Sequence, residues 1–234
     1  MHIILLPGLD GSGLFFEAFR KLLPSSVSSQ IISYPRDECL TYEDTVDHIY
    51  EQLPRDRDYV LIAESFSGPV AIDIAALAPL KLKGLILVST FCFSPLTPLK
   101  TLIASRLLFL LNFSAPPRFI NWLLCNDMEL DLSGRVARVV DALPTETLKS
   151  RVQSALQVDL RGALDDVEVP IMLLKASEDR LLDPSSSHTI KKYYDSAELF
   201  EVEGPHFLLQ CNPEECLRAI QIFLKRTQSS LSDV

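Results

Sequence analysis

Basic residues are scarce in this chain of 234 residues: 22 Lys and Arg stand against 31 Asp and Glu, a formal charge of −9. A nucleic-acid footprint needs clustered cations to neutralise phosphates, so none is expected. Long apolar runs are also missing. The most apolar window away from the strand-like segments, Leu107 to Leu111, sits between Arg106 and Asn112, far short of the ~20 residues a membrane-spanning helix requires. The five cysteines, Cys39, Cys92, Cys125, Cys211 and Cys216, include no CxxC spacing. An odd number in mostly apolar surroundings fits small buried hydrophobes in a reducing compartment rather than a disulfide framework. No basic leader precedes the apolar run Ile3–Leu6, so that run is expected to be a core strand rather than a signal peptide, and the protein to be cytoplasmic. No internal repeat is present.

What the sequence does hold is 47% hydrophobic residues in short bursts. Its length suits one domain, or one domain carrying an insertion. Leucine-rich and β-branched runs fall at Ile3–Leu6, Gln30–Tyr34, Tyr59–Ala63, Gly84–Ser89, Pro170–Lys175 and Glu198–Glu203. Most are apolar at consecutive positions, as strands covered on both faces are. Segments of helical length, Leu14–Leu23, Tyr42–Leu53 and Gly68–Ala78, follow the first three runs. Strand–helix alternation predicts an α/β fold with a mostly parallel, doubly wound sheet of about six strands. From residue 95 to 165 the alternation stops and helical periodicity takes over, at Leu99–Leu111, Pro117–Leu124, Leu132–Leu143 and Thr145–Leu156. Pro95, Pro98, Pro116 and Pro117 cut its start into short pieces. The expected organisation is a core of 1–94 and 166–226, a helical cap of 95–165 and a polar, frayed tail of 227–234 after an amphipathic helix Pro213–Lys225.

In such a sheet, chemistry belongs at the carboxyl ends of the strands. The third run ends in Ala63-Glu64-Ser65-Phe66-Ser67-Gly68. Small residues two before and two after a serine are what a nucleophile elbow requires, because the strained turn brings those positions close together. Ser65 as a plain helix N-cap is the alternative. After the fifth run come Glu178, Asp179 and Asp183. Asp183, before Pro184, reads as a turn former, Asp179 as a carboxylate aimed from a strand end, and Glu178 as its competitor. Among the four histidines only His206 follows a strand; His2, His48 and His188 are expected at the surface. The order Ser65, Asp179, His206 is that of a Ser–Asp–His catalytic triad on an α/β sheet. After the first run, Gly8-Leu9-Asp10-Gly11-Ser12-Gly13 is spaced G-x-x-G-x-G. That spacing weakens dinucleotide and P-loop readings. It suits an oxyanion loop instead, with the Leu9 amide paired to that of Phe66, the residue after the serine.

The motifs LLPGLDGSG, LIAESFSGPVA, LLKASEDRLLDP and GPHFLLQCNPEE together resemble the α/β-hydrolase superfamily. They are similar to small bacterial-type carboxylesterases and, less closely, to pimeloyl-carrier-protein methyl ester esterases. The first motif also resembles the PGxDGTG loop of plant esterase and phytyl-ester-synthase-like proteins. The resemblance covers about 1–94 and 166–226. It implies Ser65 as nucleophile, His206 as base and then acid, Asp179 as its orienting carboxylate, and the Leu9 and Phe66 amides as the oxyanion hole. Two departures are present: Ala63 stands where the family usually has glycine, and the chain starts at the strand that is third in the full family fold.

The expected activity is therefore hydrolysis of a carboxylic ester through an acyl-enzyme, with no metal or cofactor. A thioesterase or acyltransferase is the rival among enzymes, and a binding protein that has lost catalysis the rival outside them. The substrate expected is a small-molecule acyl ester. Arg135 and Arg138, three apart on one predicted helix, read either as a solvated face or as a seat for a carrier- or coenzyme A-linked acyl group.

Overall fold

The computed structural model describes residues 1–94, 117–126 and 130–232. Along the chain run β1 (His2–Leu6), a 3-10 turn (Leu14–Phe16), α1 (Glu17–Leu22), β2 (Ser28–Ile31), α2 (Tyr42–Glu51), β3 (Tyr59–Glu64), α3 (Ser67–Ala76) and β4 (Leu82–Val88). Then come α4 (Pro117–Leu124), α5 (Leu130–Asp141), α6 (Thr145–Gln157), β5 (Ile171–Ala176), α7 (Ser186–Tyr193), β6 (Glu198–Val202), α8 (Leu208–Cys211) and α9 (Pro213–Ser232). The six strands form one parallel sheet in the order β2-β1-β3-β4-β5-β6.

The unbroken apolar runs follow from burial on both faces. Ile4 and Leu6 of β1 and Leu61 and Ala63 of β3 pack with Val46 and Ile49 of α2 and Val70 and Ile74 of α3. Their alternates Ile3, Leu5, Val60 and Ile62 pack on the other side, with Phe19 of α1 and Ile220 and Phe223 of α9. Period-2 alternation thus sends successive apolar side chains to two different cores. Each fully buried Leu, Ile or Phe contributes about 1.5–3 kcal/mol relative to exposure.

The second strand departs from the expected Gln30–Tyr34 and starts at Ser28. As an edge strand it pairs only with β1, so it needs no run of apolar residues, and Ile32 and Tyr34 are buried in the connection after it. A capping box at Thr41, which accepts from Asp44 N–H, starts α2. The final helix runs past Lys225 to Ser232, with Thr227 buried and its hydroxyl donating to Phe223 O at 3.0 Å.

Between β4 and β5 lie α4, α5 and α6, close to the predicted ranges; the predicted helix Leu99–Leu111, with Pro95, Pro98 and Pro116, falls outside the described residues. The two ends of this insertion meet. Phe93 forms an antiparallel bridge with Asp159, Ser94 N–H donates to Val158 O at 2.9 Å, and Leu160 N–H donates to Cys92 O at 2.7 Å. Among the described residues no helix is long and apolar enough to cross a membrane.

The strand order places the point of interest. From β1 the chain goes outward to β2, then returns to the other side of β1 as β3. The loops after β1 and β3 therefore diverge at a switch point, with Leu6 and Ala63 paired beneath them.

Candidate active site

Ser65 sits between β3 and α3 with φ 52°, a left-handed conformation that costs a non-glycine residue of order 1–3 kcal/mol. The surroundings hold it there. Its N–H donates to Val88 O at 3.0 Å, and its carbonyl accepts from Gly68 N–H at 3.0 Å and from the Thr90 hydroxyl. Gly68 has to be glycine: a Cβ there would lie 1.9 Å from Thr90 Oγ1. Ala63 and Ser67, the small residues of the motif, are fully buried. The Ser67 hydroxyl donates to Pro7 O and hydrogen-bonds the Tyr34 hydroxyl, so the turn after β3 is tied to the loop after β1.

His206 follows β6 and is 1% exposed. Its Nε2 lies 2.9 Å from Ser65 Oγ, and its Nδ1 lies 2.8 Å from Asp179 Oδ2. The other oxygen of Asp179 accepts from Leu181 N–H at 2.9 Å and Leu182 N–H at 3.0 Å. Burial alone would raise the Asp179 carboxyl. Attraction to His206, its hydrogen bond and the two backbone amides outweigh burial and hold it below the usual carboxylate value. The loops that carry the two residues are laced together: Ser177 N–H donates to Val202 O and Glu178 N–H to Gly204 O, both at 3.0 Å. Gly204, with φ 147°, makes the turn that brings His206 back over the sheet.

Asp179 and its competitor Glu178 have different hydrogen-bond partners. Glu178 is exposed and its carboxylate accepts from Asn126 Nδ2 at 2.6 Å, away from His206. Asp183 is a turn former as expected, accepting from Ser185 N–H at 2.8 Å. Of the remaining histidines, His188 is exposed and His48 half-buried. His2 corrects the expectation of a surface position: it belongs to β1, is 9% exposed, and its Nδ1 lies 2.8 Å from Ser28 Oγ in β2.

Phe66, directly after Ser65, is 3% exposed. The loop carrying Leu9 lies against the serine: a Cβ on Gly8 would be 3.7 Å from Ser65 Cβ. Glu64, the residue before the serine, is 3% exposed. Its Oε2 accepts from Gln210 Nε2 at 3.1 Å, its Oε1 has no hydrogen-bond partner among the described residues, and burial pushes its pKa up to about 7, against the lowering influence of His206 and Gln210.

Sequence reasoning did not single out Tyr34, Thr90 or Arg151. Arg151 lies on α6, 6% exposed, with its Nη1 donating to Leu9 O at 3.0 Å and Asp10 O at 2.9 Å and its Nη2 to Pro35 O at 2.9 Å. Its signal was legible: it follows Leu148 by three and precedes Ala155 by four, so a charge sits on the apolar stripe of that helix. Arg135 and Arg138 are both exposed on α5.

A family model described as serine aminopeptidase, S33, matches residues 39–202, well over half of the chain. The chain belongs to this family. The matched stretch includes Ser65 and Asp179 and ends four residues before His206. Its six-stranded sheet is that of an α/β-hydrolase. A hydrolase from Oleispira antarctica superposes with a TM-score of 0.81 at 12% identity, covering 94% of this chain and 90% of that one. A thermophilic esterase from Thermogutta terrifontis gives 0.79 at 18% identity, covering 97% and 90%. MenH from S. aureus gives 0.79 at 14%, covering 97% and 94%. At these identities the likeness is one of fold. Ethanol acetyltransferase 1 of Kluyveromyces marxianus is 32% identical over 62 residues, which is 26% of this chain and 17% of that protein's length.

Proposed function

We propose that this S33-family protein hydrolyses a carboxylic ester of a small molecule through an acyl-enzyme, with Ser65, His206 and Asp179 as a catalytic triad. The observation that carries the reading is the hydrogen-bonded chain from Ser65 Oγ through both His206 nitrogens to Asp179, at 2.9 and 2.8 Å, on a serine held at positive φ. In the first half-reaction His206 Nε2 takes the proton of Ser65 as Oγ attacks the acyl carbon. Asp179 keeps the Nδ1 proton in place and stabilises the imidazolium. The amides of Leu9 and Phe66 hold the oxyanion. His206 then gives its proton to the departing alcohol as the acyl–alcohol bond breaks; in the second half-reaction it draws a proton from the attacking water and returns it to Ser65 Oγ as the acyl–Oγ bond breaks.

The described helices between β4 and β5, α4, α5 and α6, act in this reading as a cap. A cytoplasmic site of action agrees with five cysteines that form no disulfide among the described residues. The short match to an alcohol acetyltransferase favours a second fate for the same acyl-enzyme, capture by an alcohol instead of water. A panel of chromogenic acyl esters of rising chain length, with Ser65→Ala as the blank, tests the hydrolase. Adding ethanol to the same assay and measuring the ester formed separates transfer from hydrolysis.

A further inference from the structure

The oxyanion loop is fastened by a residue of the inserted helices. We propose that Arg151 is a positioning residue for the oxyanion hole, holding the Leu9 amide in the direction catalysis requires; this rests on the hydrolase reading above.

Three observations lead there. First, the orientation of the Leu9 N–H is set by the peptide it belongs to. Gly8 O accepts from Gly11 N–H at 3.0 Å, and because every peptide here is trans, the Leu9 N–H of that peptide points out of the turn, opposite to Gly8 O. Second, the next two carbonyls, Leu9 O and Asp10 O, both end on one guanidinium nitrogen of Arg151, while the second nitrogen anchors to Pro35 O on the neighbouring loop. A single planar fork therefore fixes consecutive peptide planes directly after the proposed donor. Third, the loop is shaped around that fork. Gly11 has φ 71°, and a Cβ on it would lie 2.5 Å from Arg151 Nη1 and 2.9 Å from the Tyr34 ring. The Tyr34 ring lies beneath the guanidinium, 5.4 Å from it, and Tyr34 N–H donates to Gly11 O at 2.9 Å. The Tyr34 hydroxyl joins Ser67, whose own hydroxyl donates to Pro7 O. Arg151 thus completes a ring of contacts from α6 through the loop to the turn bearing Ser65 and Phe66.

Loss of a whole oxyanion donor costs about 10²–10³ in kcat, so a donor left in place but loosely aimed is expected to cost roughly tenfold to a hundredfold. Such a loss falls on the transition state, so KM is expected to change less than twofold. The test is steady-state hydrolysis of a short p-nitrophenyl ester by the full chain carrying Arg151→Met or Arg151→Lys, with each rate divided by the number of serines that take a fluorophosphonate label at saturation. Arg151→Met is expected to lose kcat per labelled serine and to regain part of it with millimolar guanidinium. Arg151→Lys, which keeps the charge but cannot span both loops, is expected to fall between it and the wild type. Should Arg151→Met fail to fold, Arg151→Lys carries the comparison alone. A kcat per labelled serine equal to wild type in every folded variant overturns the role of Arg151, since a merely structural arginine lowers the folded fraction and not this quotient. A wild-type chain that takes no label on Ser65 overturns the hydrolase reading, and this inference with it.

Discussion

The hydroxyl of Ser67 donates to the main-chain carbonyl of Pro7, sixty residues earlier in the chain. One hydrogen bond thereby joins the two loops that carry the proposed oxyanion donors, Leu9 after β1 and Phe66 after β3. The separation of those donors is thus set by side-chain chemistry as well as by the register of two paired strands.

Asp179 and not Glu178 faces His206, which sets an order of effects. Asp179→Asn is expected to slow turnover by about 10⁴-fold, by analogy with the serine-protease aspartate whose amide holds the wrong tautomer. Glu178→Gln is expected to change kcat/KM less than twofold. Steady-state kinetics of the two variants side by side checks this, and a reversed ranking moves the role to Glu178.

Gly68 is where the elbow leaves no room. Gly68→Ala forces a Cβ into Thr90, whose hydroxyl donates to Ser65 O. Overpacking of this kind costs about 1–3 kcal/mol, and the displaced serine is expected to lose activity in the folded fraction as well. Thermal melting together with kcat per labelled serine measures both; a wild-type melting temperature would show that the helix can shift away from Thr90 without strain.

Glu64 gives a pH dependence of stability with a definite sign. Its carboxyl is raised by burial from 4.5 to about 7, so between those values the folded chain holds a proton that the unfolded chain has released. Stability therefore falls as pH rises through this window, by up to about 1.4 kcal/mol per unit, and levels off above it. Glu64→Gln removes that slope. Denaturant midpoints at pH 5 and pH 8 are expected to separate less in Glu64→Gln than in the wild type, and an equal separation would show that the buried carboxyl does not titrate there.

Arg135 and Arg138 are exposed on α5. Reversing both charges, Arg135→Glu with Arg138→Glu, is expected to leave a small neutral ester turned over at the wild-type kcat/KM. An increase in KM confined to a coenzyme A-linked acyl substrate, larger at low salt, would assign these arginines to an anionic carrier.

The parts of this site that were legible in the sequence are those fixed by short-range rules. Small residues flank Ser65 because a tight turn demands them, and Asp179 and His206 stand at strand ends because that is where a parallel sheet opens. Contacts across the fold left less of a mark, Arg151 on the apolar stripe of α6 being the exception. The sequence ranks Asp179 above Glu178 only by its place in the loop; it does not show that Glu178 hydrogen-bonds Asn126, 52 residues away. Thr90 and Tyr34 read as ordinary residues until the chain brings them against Gly68 and Arg151. The edge position of β2 displaced its predicted start, since a strand paired on one side can be polar, and His2 lies buried because its imidazole finds Ser28 on that same edge.

The proposed chemistry rests on Ser65 as a nucleophile armed by His206. Treating the protein with a fluorophosphonate and mapping the adduct by peptide mass spectrometry tests it most directly. A single adduct on Ser65 is expected, abolished in Ser65→Ala and slowed by orders of magnitude in His206→Ala. An unlabelled Ser65 in the folded wild type, or labelling unchanged by the loss of His206, would contradict it.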